Sequence, residues 1–390
     1  MNHCGANKLG YVVLPDFFMG TSINIFFSAT SYPRNEKDWQ GVFIKHIVNA
    51  LAWEEDLELS VWLPDGARHH AIKYCCSMED KAWLENLTQQ GGIAHLLNQD
   101  KLKAIKSAAT LLLKLRKTYK KHENNTDIYH INWLQNALPL IGLSKPCVVT
   151  VLGTDFKLLK LPGMKVAFRV LLKSTPCIIA PNAEWMKKPL EEYFGDLCEI
   201  IPVPFGIDDS WYKVERKPPT TQKKWIAVSR ITAAKMGDLF EWGENIFKGD
   251  DNELHLFGPN QENLTIPEWV NYHGPATAEQ LASKWFPEAR GLISLSRHSE
   301  GRPQVMLESM ASGLPIIASS LPAHCDFIAH KETGYLVSAK EDFSDAISWL
   351  SNPDNNLNVS ANCRNYAHKQ YGTWHSCAQR YIHLYKKLKK

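Results

Sequence analysis

The sequence predicts an α/β fold built as two parallel-sheet domains. Apolar runs of strand length alternate with helix-period segments along most of the chain. The alternation breaks at the Pro- and Lys-rich stretch YKVERKPPTTQKK (212–224) and restarts after it, which puts a domain boundary near 205–222. A length of 390 residues is enough for two such domains. Strand–helix alternation implies parallel strands joined by right-handed crossovers, and ligands in such sheets sit at the carboxyl ends of the strands.

The first credible strand is INIFFSAT (23–30), and residues 1–22 precede it without a readable role. A loop ending at Gly41 leads into a helix over 42–53, whose apolar positions Val42, Ile44, Ile47, Val48 and Leu51 share one face. LELSVWLP (57–64), DIYHINW (127–133), CVVTVLGTDF (147–156) and CIIAPN (177–182) supply further strands, and EIIPVPFGID (199–208) closes the first half. WIAVSR (225–230) restarts the pattern, with LHLFGP (254–259), NYHGP (271–275), GLISLS (291–296) and PIIAS (315–319) as later strands. A final helix spans 371–389.

Composition narrows the class. Apolar content of 44% and charged content of 22% are ordinary for a globular protein. A net charge of +3 is too small to argue for nucleic acid as partner. Nine cysteines, odd in number and without a CxxC pair, read as reduced thiols in the cytoplasm. The N-terminus lacks a secretory pattern, and no apolar run approaches the roughly 20 residues that span a bilayer.

The chemistry concentrates in LSRHSEGRPQVMLESMASGLPIIASS (295–320), where Glu300 and Glu308 have seven residues between them. After the strand, a polar loop carries Glu300. Pro303 suits a helix start, since its fixed φ is helical and its missing N–H is not needed there. The N–H groups of Gln304 and Val305 then have no intrahelical acceptor and can meet an anion such as a diphosphate. Glu308, a turn further in, can grip a ribose diol, and Glu300 can hold sugar hydroxyls. Gly313 and Pro315 stop the helix.

This segment, EGRPQVMLESMASGLPIIAS, resembles the signature of the retaining GT-B glycosyltransferases of family 4. WIAVSRITAAK (225–235), LHLFGP, NYHGPATAEQL (271–281) and VPFGID (203–208) resemble further family segments in the same order. The resemblance covers about residues 23 to 385 and is loose in the N-terminal half. It implies a GT-B fold with an acceptor domain over 1–205, a donor domain over 206–370, and a helix over 371–390 returning to the first domain. It also implies Arg230 and Lys235 on the donor diphosphate, Glu300 on the transferred sugar, and Glu308 on the ribose. Gly301, Gln304, Val305, Gly258 and Gly41 would then line the donor site. No cofactor is expected beyond the donor, a UDP-, GDP- or other nucleotide sugar. No metal is expected either, the two cations standing in for one.

The departures bear on specificity. Arg302-Pro303 replaces the family's aromatic-Gly, which removes one N–H and shifts phosphate binding onto Gln304, Val305 and cationic side chains. Leu321-Pro322-Ala323-His324 replaces Gly-Gly in the loop facing the sugar. On the acceptor side, Asn132 and Leu152 stand where relatives carry histidines. His130 and Asp155 remain as catalytic candidates to orient the acceptor or to stabilise positive charge on the sugar ring. The bland alternatives are a packed histidine and a turn-capping carboxylate.

The segment 101–121 holds eight basic residues, with Leu102, Ile105, Ala109, Leu112 and Leu113 on one helical face. Such a helix either packs that face on the core or lies on an anionic inner membrane surface, where a polyprenyl-diphosphate-linked acceptor would be found. The resulting expectation is a retaining hexosyltransferase. It would move a sugar to a hydroxyl of a lipid-linked or cell-surface glycan, in the cytoplasm or peripherally on the membrane. A nucleotide-sugar epimerase and a non-catalytic sugar-nucleotide-binding protein are the alternatives.

Overall fold

The computed structural model describes residues 22–390 apart from 36–37, 39, 154, 218–222, 250 and 299. Residues 1–21 and part of the proposed interdomain stretch therefore lie outside the described residues.

The first sheet contains β1 (Ile23–Ser28), β2 (Leu57–Trp62), β3 (Lys73–Tyr74), β4 (Ile128–Asn132), β5 (Cys147–Val151), β6 (Cys177–Pro181) and β7 (Glu199–Ile200). Its order is β3-β2-β1-β4-β5-β6-β7. The second contains β8 (Lys224–Val228), β9 (Glu253–Phe257), β10 (Val270–Gly274), β11 (Ala289–Ser294), β12 (Ile316–Ser319) and β13 (Tyr335–Val337), in the order β10-β9-β8-β11-β12-β13. Every pairing is parallel. The strands read as near-continuous apolar runs because helices cover both faces, and β4, β5 and β6 are buried throughout. Strand order reverses between β1 and β4 and again between β8 and β11. Those two switch points open the crevices in which an open α/β sheet binds ligands.

Two strands escaped the sequence reading. The two-residue β3 is too short to show a period, and β13 lies in a segment broken by Thr333 and Gly334. The last helix runs from Trp374 to Lys389, not from Tyr371, because Gly372 is left-handed (φ 59°) and Thr373 closes a capping box with Ser376. Its buried face (Cys377, Ala378, Tyr381, Tyr385) packs into the core of the first sheet with Ile44 and Val48. The chain passes between the sheets twice, and the two passages lie side by side. The Ile207 N–H donates to the Gly372 carbonyl at 3.1 Å, and the Gly206 backbone abuts Thr373. Among the described residues no helix is long and apolar enough to cross a membrane.

Candidate active site

The β8–β11 switch point gathers the residues that the sequence assigns to a donor site. Thr232 caps the short helix Ala233–Met236 through the Lys235 N–H (3.2 Å), and this turn sits on the end of β11. The Arg297 N–H donates to the Ala234 carbonyl at 2.7 Å. Lys235 thereby meets Glu300 in an ion pair whose side chains are only 12% and 16% exposed. Burial holds the Lys235 pKa below the usual lysine range, and the nearby Arg230 cation pushes the same way against the attraction of Glu300. Arg230 is partly buried beside it, without an ion-pair partner among the described residues. Gly258 makes this corner possible. At φ 132° it lets the end of β9 pass so close to Ser229 that a Cβ would lie 1.7 Å from the Ser229 carbonyl oxygen.

The helix Gln304–Ala311 starts one residue later than the sequence suggests, with Pro303 as its N-cap (φ −68°, ψ 119°). Gln304 and Val305 are its first two residues, so their N–H groups face out of the helix end. The Gln304 amide donates to the Gly206 carbonyl at 3.0 Å, tying the helix start to the interdomain passage. Ser312 caps the helix and Gly313 (φ 69°) follows.

Glu308 is partly accessible, and its carboxyl has no hydrogen-bond partner among the described residues. Burial, and secondarily the negative charge of Asp208, pushes its pKa up to about 8. The carboxyl is therefore mostly protonated at neutral pH. Ligand hydroxyls donating to it would favour the ionised form, so if Glu308 holds a ribose diol as the sequence suggests, nucleotide binding should release a proton. Nucleotide affinity is expected to rise with pH by up to about tenfold per unit below pH 8 and to flatten above it. The same elevated pKa makes folding stability fullest below the ordinary carboxyl range and lost as pH rises through about 8. Glu308→Gln should flatten both profiles. Calorimetric titration and thermal melts across pH 6–9 check this.

Several candidates land elsewhere. His130 is a correction. It is wholly buried, with Nδ1 2.5 Å from the Tyr385 hydroxyl and Nε2 2.9 Å from the Thr150 hydroxyl. Burial drops its pKa to about 3, and with both ring nitrogens already hydrogen-bonded the neutral imidazole is a joint between β4 and the returning helix. Asp155 is a second correction. Its buried carboxylate accepts the N–H groups of Leu134 (3.0 Å) and Leu152 (2.9 Å), fastening the loop after β5 to the loop after β4. Burial raises its pKa to about 6 against those hydrogen bonds. These bonds make it a positioning residue for the Leu152–Gly153 turn. Arg302, which stands where the family has an aromatic residue, is buried in an ion pair with Asp326 and stacked over Tyr371. Gly41 (φ 72°) starts the helix Val42–Ala52, whose Phe43 stacks on Phe205 at 5.3 Å. Gly41 itself lies close against Ser31 and Tyr32, where a Cβ would fall 2.5 Å from the Ser31 hydroxyl oxygen.

A clasp across the cleft was not legible beforehand. Asp326 accepts the N–H groups of Glu184 (3.1 Å) and Trp185 (2.9 Å) from the first domain. The Trp185 indole N–H donates to the Gly301 carbonyl at 2.9 Å. Gly301 itself lies against the first domain: a Cβ there would fall 2.4 Å from Asn182 Oδ1 and 2.6 Å from the Leu152 carbonyl oxygen. These contacts hold the Glu300 loop against the carboxyl ends of β5 and β6.

Two switch-point sheets closing on one cleft, with a returning C-terminal helix, are the GT-B fold of glycosyltransferases. Residues 225–352, which hold most of the second sheet, match the family model described as glycosyl transferases group 1. A probable sucrose-phosphate synthase of Thermosipho melanesiensis is 31% identical over 114 residues, 28% of this chain and 26% of that protein. The match thus spans about a quarter of the relative's length. A sucrose-phosphate synthase structure from Thermosynechococcus elongatus superposes with TM-score 0.69 at 15% identity, over 94% of this chain and 99% of that one. The structure of Anabaena HepE in complex with UDP-glucose superposes with TM-score 0.62 at 13% identity, over 94% and 100%.

Proposed function

We propose that the protein transfers a sugar from a nucleotide diphosphate sugar to an acceptor hydroxyl with retention of anomeric configuration. The observation that carries this reading is the convergence of Glu300, Lys235, Arg230 and the Gln304 helix start at the β8–β11 switch point, one turn from the unpartnered carboxyl of Glu308. In this reading Glu308 binds the ribose and the Gln304 and Val305 N–H groups meet the diphosphate. Arg230 and Lys235 stabilise the charge gathering on the leaving nucleoside diphosphate. Glu300 links Lys235 to the sugar hydroxyls. With His130 and Asp155 both committed to structure, the departing phosphate oxygen is the group left to accept the acceptor's proton on the front face. Arg230 and Lys235 take the part a divalent cation would play, and activity is expected to survive EDTA.

For the acceptor we propose a lipid-linked glycan at an anionic membrane. The helix Lys101–His122 buries Ala104, Leu111, Leu115 and Tyr119. The apolar face read from its sequence points outward instead, with Leu102 82%, Ile105 62% and Leu113 73% exposed. Val166 and Val170 form a second exposed stripe on the helix Met164–Ser174, and both helices pack on the segment Leu134–Leu140. Lys101, Lys103, Lys106, Lys117, Lys120 and Lys121 are exposed beside these stripes. Apolar ridges flanked by lysines suit an anionic bilayer. Ile105→Asp with Leu113→Asp is expected to weaken binding to vesicles containing phosphatidylglycerol by about tenfold or more, as measured by co-sedimentation.

The test of the transfer reading is nucleotide release from UDP-, GDP- and ADP-sugars, with and without membrane lipid extract. Release from one donor that requires the extract supports it. A sugar isomer formed without any acceptor would instead establish an epimerase, and binding without turnover would establish a binding protein.

A further inference from the structure

We infer that His324 is a specificity-determining residue whose Nε2 accepts a hydrogen bond from a hydroxyl of the transferred sugar. This rests on the donor reading above. His324 lies in the short helix Pro322–Cys325 after β12, with no exposed surface. Its Nδ1 is 2.8 Å from the Ser319 carbonyl oxygen. A carbonyl can only accept, so Nδ1 carries the proton, and in the neutral ring Nε2 is a lone-pair acceptor. That Nε2 is buried with no partner among the described residues. An unpartnered buried acceptor costs free energy, and a native structure keeps one where something else completes it.

The ring is fixed to both strands that frame the site. Ser319 ends β12, and its hydroxyl donates to the Ser296 carbonyl at 2.6 Å, where the loop to Glu300 begins. His324 is thereby held by the strand ends that position Glu300, and it lies within electrostatic reach of Glu300 and Lys235. Burial lowers its pKa, against the opposing pull of the Ser319 carbonyl and the Glu300 charge. Glu300 and the Lys235 ammonium are committed to each other, so the imidazole adds a neutral acceptor where the neighbouring groups are charged. A site built to accept a hydroxyl proton discriminates strongly against an analogue that lacks the hydroxyl, because the acceptor is then left unpaired.

The test compares the wild-type chain with His324→Phe, which keeps a planar ring and removes the acceptor, and His324→Gln, which retains one. Calorimetry would measure UDP and GDP against UDP-glucose, UDP-galactose, UDP-N-acetylglucosamine and GDP-mannose. For the preferred nucleotide sugar, His324→Phe should lose about tenfold in affinity. The matching free nucleoside diphosphate should bind within about twofold of wild type, and His324→Gln should recover most of the loss. Equal loss for sugar and free nucleotide, or no loss for either, overturns the assignment of His324 while leaving the donor site standing. Absence of nucleotide binding in the wild type would sink the donor reading and this inference with it.

Discussion

Lys235→Ala should lower kcat by about 10²–10³-fold, with a much smaller change in donor Kd. The ammonium sits at the switch point between Glu300 and the Arg230 cation, where burial has already stripped much of its water. A fixed, poorly solvated cation interacts more strongly with charge developing on the departing diphosphate than with the ground-state donor, so its loss falls on the chemical step. Arg230→Ala should act the same way. Its guanidinium has no ion pair to lose among the described residues, which separates the catalytic effect from damage to Glu300. Steady-state rates set beside direct donor titrations decide the matter. Equal losses in Kd and in kcat/KM would mean that the cations only bind.

A comparably large effect is expected from a residue that bears no charge. Gly301→Ala would drive a Cβ into Asn182 Oδ1 and the Leu152 carbonyl, both on the first domain. The two sheets could then no longer approach to their present distance. Reacting groups displaced by about 1 Å cost roughly 10²-fold in rate, so kcat should fall by about that factor. Each sheet keeps its own core, so the melting temperature and free-nucleotide affinity should stay near wild type. Asp326→Asn tests the same closure from the other side, because it weakens the acceptor for the Glu184 and Trp185 N–H groups and leaves Arg302 unpaired. A Gly301→Ala enzyme with wild-type kcat would show that the closed contact is irrelevant to turnover.

How much of this the sequence disclosed follows from the range of each interaction. The strand, loop and helix that carry Glu300 and Glu308 were legible because these parts are local. A strand, a loop, a Pro-capped helix start and a Gly stop all lie between Ala289 and Gly313, and each leaves a chemical signature in the chain. The Glu300–Lys235 pair spans 65 positions, and although the alternation gave the two strands they follow, it did not give the crossover that makes β8 and β11 neighbours. The acceptor side was not legible for the opposite reason. The partner of His130 is Tyr385, 255 positions away, and nothing near DIYHINW signals that the imidazole is satisfied. Tyr381 and Tyr385, four residues apart on the last helix, were the available hint of polar groups buried on that face. Asp326 meets Glu184 and Trp185 across 142 and 141 positions through backbone N–H groups, which every residue possesses. The basic helix shows a third limit. Its periodicity revealed an apolar stripe but not which way the stripe faces. Ala104, Leu111, Leu115 and Tyr119 fill the interior, while Leu102, Ile105 and Leu113 remain outside.

The central claim is that the β8–β11 switch point is a nucleotide-sugar site with Glu308 on the ribose. Calorimetric titration of UDP, GDP and ADP into the wild-type chain and into Glu308→Ala tests it most directly. The account predicts that one nucleotide binds and that its affinity falls by about tenfold or more in the variant, the worth of a pair of hydrogen bonds to a carboxylate. A nucleotide that binds both proteins equally, or none that binds the wild type, would contradict it.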